Sequence, residues 1–480
     1  MRRLLLLGLC ALALRAEANS KPATAGKPNV LLIITDQQRF DMLSCAGNPW
    51  VKTPNLDRLA AAGTRFDLAF CAFPLCSPSR FSMFSGVMPS RIHQQSNDVV
   101  PVPAAILNNS MGSVFGRAGY ETVYAGKAHL PCPNRPQSAG YGFQRNLTDD
   151  SRDELAKQCA AYLGGKHERP FLLVASFINP HDICSMGIRD YAKVAPPRKK
   201  GPAREDSAAL VCLDAALKRP AGVSDDEFFK KLCPPMPANH EESPGLADVM
   251  GFKGGMIVFE QTKWTERDWQ LHRWAYARLT EQVDAQIGVV LDALRKAGLE
   301  KNTLIVSVSD HGEMDASHRL GHKQFLYDEA IRVPLILSWP EHIRNNAVDR
   351  EHLVSTGMDL IPTLCDFAGV PVPSDLTGRS LKPLAEGQPV KSWRRGLVIE
   401  NPNGVAYRNL RSKYVVFRQK NGPLKEAVID LSADPGEMHN AASSPDGAKR
   451  LEAGRAELLH WYEAHGEPLD ACYRVATTNP

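Results

Sequence analysis

The sequence has 480 residues, of which 43% are hydrophobic and 23% are charged, and its formal net charge is +4 at pH 7. These values are ordinary for a globular protein of about two or three domains, and they exclude a mainly disordered or repetitive chain. The near balance of acidic and basic residues excludes a polycationic nucleic-acid binder, so we expect no nucleic-acid partner.

The N-terminal residues have the pattern of a secretory signal peptide. Arg2 and Arg3 precede the apolar run 4–14, and the small residues Ala16 and Ala18 follow it. The run is too short for a stable transmembrane anchor, and no later segment of the sequence is long and apolar enough to span a bilayer. We therefore predict cleavage near Ala18 and export, to the periplasm or as a secreted protein, with no membrane span.

The first predicted element of the mature chain is a buried strand. Residues 28–36 form an almost continuous apolar run that ends in Asp36, which is typical of a strand covered on both faces of an α/β sheet. A short helix follows, with Thr53 or Asn55 as its N-cap and Gly63 as its stop. Asp36 is therefore expected at the carboxyl edge of the sheet.

Further buried strands alternate with helical segments along the chain. Residues 266–298 carry apolar side chains at helical spacing and predict a long helix that covers one face of the sheet. This alternation favours an α/β fold with a large, mostly parallel or mixed sheet flanked by helices. The other predicted strands of this region are 121–125, 171–178, 303–308 and 333–338.

Composition also predicts the domain organisation. Pro, Lys and Gly clusters around 196–202 and 234–237 interrupt any long periodic element, so we expect an insertion over the edge of the sheet. After Pro340 the pattern changes to short strands of a smaller α+β region, at 397–400, 413–418 and 427–431. The predicted units are a signal peptide over 1–18, a linker over 19–27, a catalytic domain over 28–375 with an insertion at 184–262, and a smaller C-terminal subdomain over 376–480.

The eleven cysteines show no CxxC zinc pattern. Cys10 lies in the predicted signal peptide, and a lipid anchor there is disfavoured because Leu9 stands where such signals need a small residue. Leaving Cys76 aside, nine cysteines remain at irregular spacing. We expect mostly buried thiols, with room for one or two disulfides in an exported protein.

The segment Cys76-Ser77-Pro78-Ser79-Arg80 carries the most specific chemical signal in the sequence. On its own, this C-x-P-S-R pattern is equally consistent with a buried cysteine before a helix that Pro initiates. Together with the downstream turn at Gly86, it resembles the formylglycine-dependent type I sulfatases of the alkaline phosphatase superfamily. The resemblance implies that a formylglycine-generating maturation enzyme oxidises Cys76 to an aldehyde, whose hydrate is the nucleophile.

A second set of residues predicts a metal site. Asp36 and Asp310 each follow a predicted buried strand, and Gln37 and His311 come directly after them. Carboxylate, amide and imidazole groups at the carboxyl ends of strands suit a hard divalent cation, although a single Asp there is more often a helix cap. The resemblance implies that these four residues and the modified Cys76 bind the metal, with calcium as its identity. Gln37 replaces the second Asp of many members and removes one negative charge.

The remaining candidates are cationic or acid–base groups after predicted strands. Lys127 and His129 lie in Gly-Lys-Ala-His, His181 follows Asn-Pro, and Lys323 lies after the predicted metal ligands. Singly, an exposed Lys is usually solvated and a His is more often structural. A sulfate ester is anionic and its leaving oxygen gains charge in the transition state, so cations and protonated imidazoles are the groups that the reaction requires.

The resemblance also assigns roles to these residues. The hydrate at position 76 attacks sulfur and forms a covalent sulfated intermediate. His129 then removes the proton of the second hydroxyl, so that the aldehyde reforms and sulfate leaves. Lys127 and Arg80 hold the hydrate. Lys323 and His181 bind sulfate oxygens, and one of them protonates the departing alcohol.

The similarity extends from about residue 28 to about residue 440 and implies an alkaline-phosphatase-like fold with a smaller C-terminal α+β subdomain. The expected function is an exported sulfatase, a sulfuric ester hydrolase, that acts on a sulfated carbohydrate. Two alternatives stay open. One is a phosphonate monoester or phosphodiester hydrolase with the same nucleophile and metal ligands, and the other is an inactive glycan-binding protein that keeps the fold.

Overall fold

The computed structural model describes residues 26–192, 207–251, 263–418 and 422–473. The predicted signal peptide lies outside the described residues, as do most of the predicted linker and part of the predicted insertion. The strands are β1 (Asn29–Asp36), β2 (Gly63–Phe66), β3 (Ala69–Phe70), β4 (Glu121–Gly126), β5 (Arg145–Asn146), β6 (Phe171–Pro180), β7 (Thr303–Ser309), β8 (Leu335–Ser338), β9 (Ala347–Asp349), β10 (Val354–Ser355), β11 (Gly396–Asn401), β12 (Gly404–Asn409), β13 (Ser412–Arg418) and β14 (Leu424–Asp430).

Helices cover the sheet and connect its strands. They are α1 (Pro54–Ala61), α2 (Cys76–Ser85), α3 (Ala104–Asn108), α4 (Met111–Arg117), α5 (Leu155–Leu163), α6 (Cys184–Ala192), α7 (Ser207–Ala216), α8 (Asp225–Glu227), α9 (Glu266–Lys296), α10 (Asp328–Ile331), α11 (Thr356–Ala368), α12 (Lys382–Glu386) and α13 (Gly447–His465). Among the described residues, no helix is both long and apolar enough to cross a bilayer.

An eight-stranded mixed sheet forms the centre of the fold, in the order β5-β4-β6-β1-β7-β8-β2-β9. Strand β1 runs parallel to both neighbours, β6 and β7, and β4 runs parallel to β6. Strand β8 is antiparallel to β7 and β2. The predicted α/β class with a mixed sheet is therefore confirmed.

The apolar run of strand β1 is explained by packing on both faces of the sheet. Leu31 and Ile33 pack with the long helix α9 and with α5 on one face of the sheet. Val30, Leu32 and Ile34 pack on the other face, in the core that includes α2 and α11. Because successive side chains of a strand point to opposite faces, the central residues of a strand between two helical layers are apolar on both faces.

The C-terminal region contains a four-stranded antiparallel sheet, β11-β12-β13-β14. One face packs on Leu458, Trp461 and Tyr462 of α13, and the other joins the main core. Strand β12 was not predicted from the sequence. It pairs with β11 across the short turn 402–403, and this pairing brings a segment without a clear pattern into the sheet.

One other expectation needs correction. The helix after β1 ends at Ala61, and Gly63 does not stop it but begins β2. A Cβ atom at Gly63 would collide with the carbonyl oxygen of Leu337, so close strand pairing explains this glycine. The cysteines agree with the expectation of mostly buried thiols: all nine whose side chains are described are free thiols, and six of these are buried.

The described part of the predicted insertion does not form a separate layer. Leu213 and Ala216 of α7 pack against Trp269 and Tyr276 of α9. Further along, His240 Nδ1 donates a hydrogen bond to the carbonyl oxygen of Ala316, 2.7 Å away, in the loop after β7. This segment therefore borders the loop that leads to Lys323. The domain boundaries themselves stay predictions.

Candidate active site

The predicted site residues meet at the carboxyl ends of four neighbouring strands. Asp36 ends β1, and Asp310 directly follows β7. Lys127 follows β4 and His181 follows β6, so two cationic or titratable side chains reach the same edge of the sheet. Parallel strands place their carboxyl ends together, which is why residues far apart in sequence form one site.

Cys76 is the first residue of α2 and is buried. Its Sγ atom lies 3.1 Å from Lys323 Nζ and 3.3 Å from His311 Nε2. Asp36 Oδ1 is 3.6 Å away and Lys127 Nζ 3.7 Å away. Two ammonium groups, an imidazole and a carboxylate therefore surround the position that the sequence predicts to be the nucleophile.

The charges around Cys76 favour an anion at this position. Burial raises the pKa of the Cys76 thiol, but Lys127, Lys323 and His311 outweigh burial and hold that pKa well below its usual value. The same surroundings would stabilise an anionic oxygen at position 76. The site is thus suited to a negatively charged nucleophile.

Arg80 lies one helical turn after Cys76 and is fully buried. Its Nη2 atom is 2.9 Å from Asp36 Oδ2, and its Nε atom is 2.8 Å from Asp310 Oδ2. Its Nη1 atom donates to the carbonyl oxygen of Lys127, 2.8 Å away. Through these contacts Arg80 holds the carboxylates of Asp36 and Asp310 in fixed positions relative to each other. Arg80 therefore acts on position 76 indirectly, through these two carboxylates.

Asp36, Cys76, Asp310 and His311 form a buried group whose possible ligand atoms all lie within 4.8 Å of one another. Burial and the neighbouring Asp36 raise the pKa of Asp310 to about 6. Two carboxyl groups buried this close to each other favour a positive charge between them. Two carboxylates and an imidazole are donors that divalent cations accept, so these residues fit the predicted metal.

His311 is oriented for this role by its own backbone. Its Nδ1 atom lies 3.0 Å from the carbonyl oxygen of Gly312, and because a carbonyl only accepts, Nδ1 carries the proton. This hydrogen bond leaves the Nε2 atom facing Cys76 and Asp310. A carbonyl that fixes the tautomer in this way is typical of metal-binding histidines.

Gln37 lies beside this group with a left-handed backbone, φ 69°. Its Oε1 atom accepts a hydrogen bond from Lys323 Nζ, 2.7 Å away. Its Nε2 atom donates to Glu313 Oε2 and to Cys184 Sγ. The amide oxygen therefore points to the cationic side of the site, and Gln37 stays a predicted ligand.

The two predicted acid–base histidines both reach Cys76. His129 and His181 both lie close enough to Cys76 to interact with its side chain. Burial, with Lys323 and Lys127 nearby, lowers the pKa of His181 to about 4, so its imidazole is neutral near pH 7. His181 is therefore a hydrogen-bonding group rather than a proton donor until an anion binds beside it. His129 has φ 46° and a buried Nδ1 atom without a partner among the described residues.

The sequence did not identify two further residues of the site. Glu313 was visible in the Asp-His-Gly-Glu segment but received no role, and it is fully buried against Gln37. His322 was not singled out; burial, Lys323 and His181 hold its pKa well below its usual value. Its position directly before Lys323 was the only sequence signal for it.

Comparison with known proteins agrees with this geometry. The sulfatase family model matches residues 28–370, and that of the N-sulphoglucosamine sulphohydrolase C-terminal region matches residues 316–462. A delta 4,5-hexuronate-2-O-sulfatase of Bacteroides thetaiotaomicron is 29% identical over 94% of this chain and 90% of its own length.

Solved structures share the whole fold. A 2-O GAG sulfatase aligns with a TM-score of 0.74 and 27% identity, over 92% of this chain and 93% of its own. A phosphonate monoester hydrolase of Agrobacterium radiobacter aligns with a TM-score of 0.70 and 24% identity over 92% of this chain and 96% of its own, which concerns the fold alone. The range that the sulfatase family model matches contains the positions of all the predicted site residues. The chain therefore belongs to the sulfatase family, and it is a sulfuric ester hydrolase.

Proposed function

We propose that the protein is an exported sulfatase that hydrolyses sulfate monoesters of a carbohydrate, with a formylglycine made from Cys76 and a divalent cation, calcium, as its reactive groups. The observation that carries this proposal is the surroundings of position 76. Lys323 Nζ and His311 Nε2 lie within 3.3 Å of the Sγ atom, and Arg80 holds two carboxylates beside it.

The metal would be held by Asp36, Gln37, Asp310 and His311 together with position 76. A hydrated aldehyde supplies a nucleophilic oxygen, and a bound divalent cation withdraws charge from that oxygen and from the sulfate group. Lys127 Nζ, 2.6 Å from Asp36 Oδ2, adds positive charge at the same place. These residues orient position 76 and stabilise negative charge there.

The other side chains act on the sulfate group and on protons. Lys323 binds a sulfate oxygen and donates a proton, or a strong hydrogen bond, to the departing alcohol. His181 binds a second sulfate oxygen, and an anion beside it favours its protonated form. His129, beside position 76, accepts the proton whose removal allows sulfate to leave.

The substrate class follows from chemistry and similarity. The hexuronate-2-O-sulfatase and the 2-O GAG sulfatase that resemble this chain are named for sulfated sugars. We infer a sulfated carbohydrate as substrate, reached after export through the predicted signal peptide. A formylglycine-generating maturation enzyme is the partner that the modification of Cys76 requires.

A substrate panel tests the function. Sulfated mono- and disaccharides that differ in sulfate position are compared with a phosphonate monoester and a phosphodiester, using matured protein and Cys76→Ala. We expect kcat/KM to be highest for one sulfated sugar and to be lost in the variant. Preference for the phosphonate would favour the hydrolase alternative, and sugar binding without turnover would favour the glycan-binding alternative.

A further inference from the structure

The orientation of the Gln37 amide is decided by a residue from a distant loop. Lys323 Nζ lies 2.7 Å from one amide atom, and an ammonium group can only donate hydrogen bonds. That atom must be the oxygen Oε1. The nitrogen Nε2 then faces Glu313 Oε2, which accepts its hydrogen, while Cys184 Sγ lies beside the amide, 3.1 Å from Nε2 and 3.3 Å from Oε1.

Glu313 is a fixed acceptor for that nitrogen. Its carboxylate is fully buried, and its Oε1 atom accepts hydrogen bonds from the backbone N–H groups of Asp315, 3.3 Å away, and His322. The Nε2 atom of His272 on α9 lies 3.9 Å from the same oxygen. Two backbone donors thus hold one carboxylate oxygen and leave the other for Gln37.

The long helix α9 supports the same arrangement from behind. His272 Nδ1 is 3.1 Å from Asp315 Oδ1. Tyr276 donates its hydroxyl to the carbonyl oxygen of Gln37, 2.6 Å away. The backbone of Gln37 and its side chain are therefore both held, which explains how a non-glycine residue keeps a left-handed backbone there.

We propose that Glu313 is a positioning residue that holds Gln37 with its amide oxygen toward the cation site, so that Gln37 and Glu313 are a matched pair. The inference rests on the proposed function because it concerns the predicted cation. It explains the departure of this chain from the Asp that many family members have at position 37. A carboxylate there would face the buried carboxylate of Glu313, and like charges in a buried site repel.

The matched pair predicts the behaviour of exchanged side chains. Glu313→Gln replaces a carboxylate, which only accepts hydrogen bonds, with an amide that can present either a donor or an acceptor. Gln37 then loses its fixed acceptor. Gln37→Glu places two carboxylates in contact. The double variant Gln37→Glu with Glu313→Gln restores one donor facing one acceptor, with the polarity reversed. Residues in direct contact should show such non-additive effects.

The test is calcium binding by isothermal titration calorimetry to chelator-stripped, full-length protein, beside thermal unfolding of the stripped protein. We expect Glu313→Gln and Gln37→Glu each to weaken calcium binding by about 10- to 100-fold, as for other residues that orient ligands. The double variant should recover to within about threefold of the wild type by this pairing argument. Glu400→Gln, a buried Glu-to-Gln change outside the site, is the matched control and should leave affinity unchanged.

Three results would overturn the inference. These are an unchanged affinity in Glu313→Gln, equal losses in Glu313→Gln and Glu400→Gln, or additive losses in the double variant. If Glu313→Gln does not fold, Glu313→Asp is used, because it keeps the charge and withdraws the carboxylate by one methylene; unchanged affinity there would also refute the pairing. If the wild-type protein binds no divalent cation, the proposed metal site itself is wrong. If the wild type binds calcium and only the pattern among the variants differs, the pairing of Gln37 with Glu313 is wrong and the metal site stands.

Discussion

Lys323 and Cys76 are 247 residues apart in sequence, yet Lys323 Nζ lies 3.1 Å from Cys76 Sγ. The lysine is only 4% exposed and comes from a loop with a left-handed backbone at both neighbours, His322 and Gln324. A buried ammonium group at this distance can stabilise an anion at position 76, or a substrate group that reacts with position 76. Its removal should therefore affect chemistry more than folding.

Lys323→Ala should slow the release of alcohol from an unactivated sugar sulfate by 100-fold or more, an order of magnitude typical of a lost acid catalyst or oxyanion donor. An aryl sulfate with a good leaving group needs little protonation, so its rate should fall less. Pre-steady-state measurement of both alcohols checks this. Equal losses with the two substrates would show that Lys323 does not assist the leaving group.

Removal of the metal or of a carboxylate ligand should abolish turnover. Asp310→Asn takes a charge from a group in which all four ligand atoms lie within 4.8 Å, so both cation binding and activity should be lost. Gln37→Ala should be milder because it removes a neutral group. Asp292→Asn, in an exposed ion pair on α9, is the control and should behave as wild type. Full activity in exhaustively chelated protein would refute the metal.

Lys413 of β13 joins the C-terminal sheet to the loop of Lys323. Its Nζ atom lies 2.8 Å from Asp328 Oδ1 and 2.8 Å from the carbonyl oxygen of Leu326, and it is completely buried. Lys413→Met should lower the free energy of unfolding by about 3–5 kcal/mol, because the buried carboxylate of Glu437 loses the ammonium group that pairs with it, while Asp328 keeps Arg408. Denaturant unfolding measures this.

Lys425→Met on the neighbouring strand β14 is the control for that change. Its ion pair with Asp248 is exposed, so the loss should be about 1 kcal/mol or less. A similar small loss in Lys413→Met would contradict the interpretation of its contacts as a stabilising link between the C-terminal sheet and the loop of Lys323.

Glu400 should make stability depend on pH. Burial raises the pKa of Glu400 from 4.5 to about 7, while the backbone N–H of Ser90 and the hydroxyl of Tyr462 donate to its carboxylate. The folded protein therefore holds this proton more tightly than the unfolded chain. Its contribution to the free energy of unfolding is greatest below pH 4.5 and falls as pH rises to about 7, by on the order of 3 kcal/mol.

Glu400→Gln should remove that slope, so the variant should gain stability relative to wild type as pH rises through this interval. Parallel denaturant titrations at several pH values measure the difference. The exposed Glu452→Gln on α13 should leave the slope unchanged. Parallel curves for wild type and Glu400→Gln would contradict the raised pKa.

Strong periodic patterns allowed much of the fold to be predicted. The apolar run of β1 and the helical spacing over α9 both reflect burial that every residue of the element shares, so a single sequence reveals them. Strand β12 and the start of β2 at Gly63 were missed for the opposite reason. Their structure depends on pairing with strands that lie elsewhere in the chain.

The site was predictable at the level of which residues meet, because strand ends converge at one edge of a sheet. Its finer geometry was not. The amide orientation of Gln37 depends on Lys323 and Glu313, and no local pattern specifies it. Likewise, the lowered pKa of His181 follows from burial near two lysines that are distant in sequence.

Mass spectrometry of the peptide that contains Cys76, from protein purified with its maturation enzyme present, tests the central proposal most directly. We expect the peptide to carry an aldehyde, or its hydrate, in place of the thiol, and the fraction converted to follow sulfatase activity across preparations. An unmodified thiol in fully active protein would contradict it.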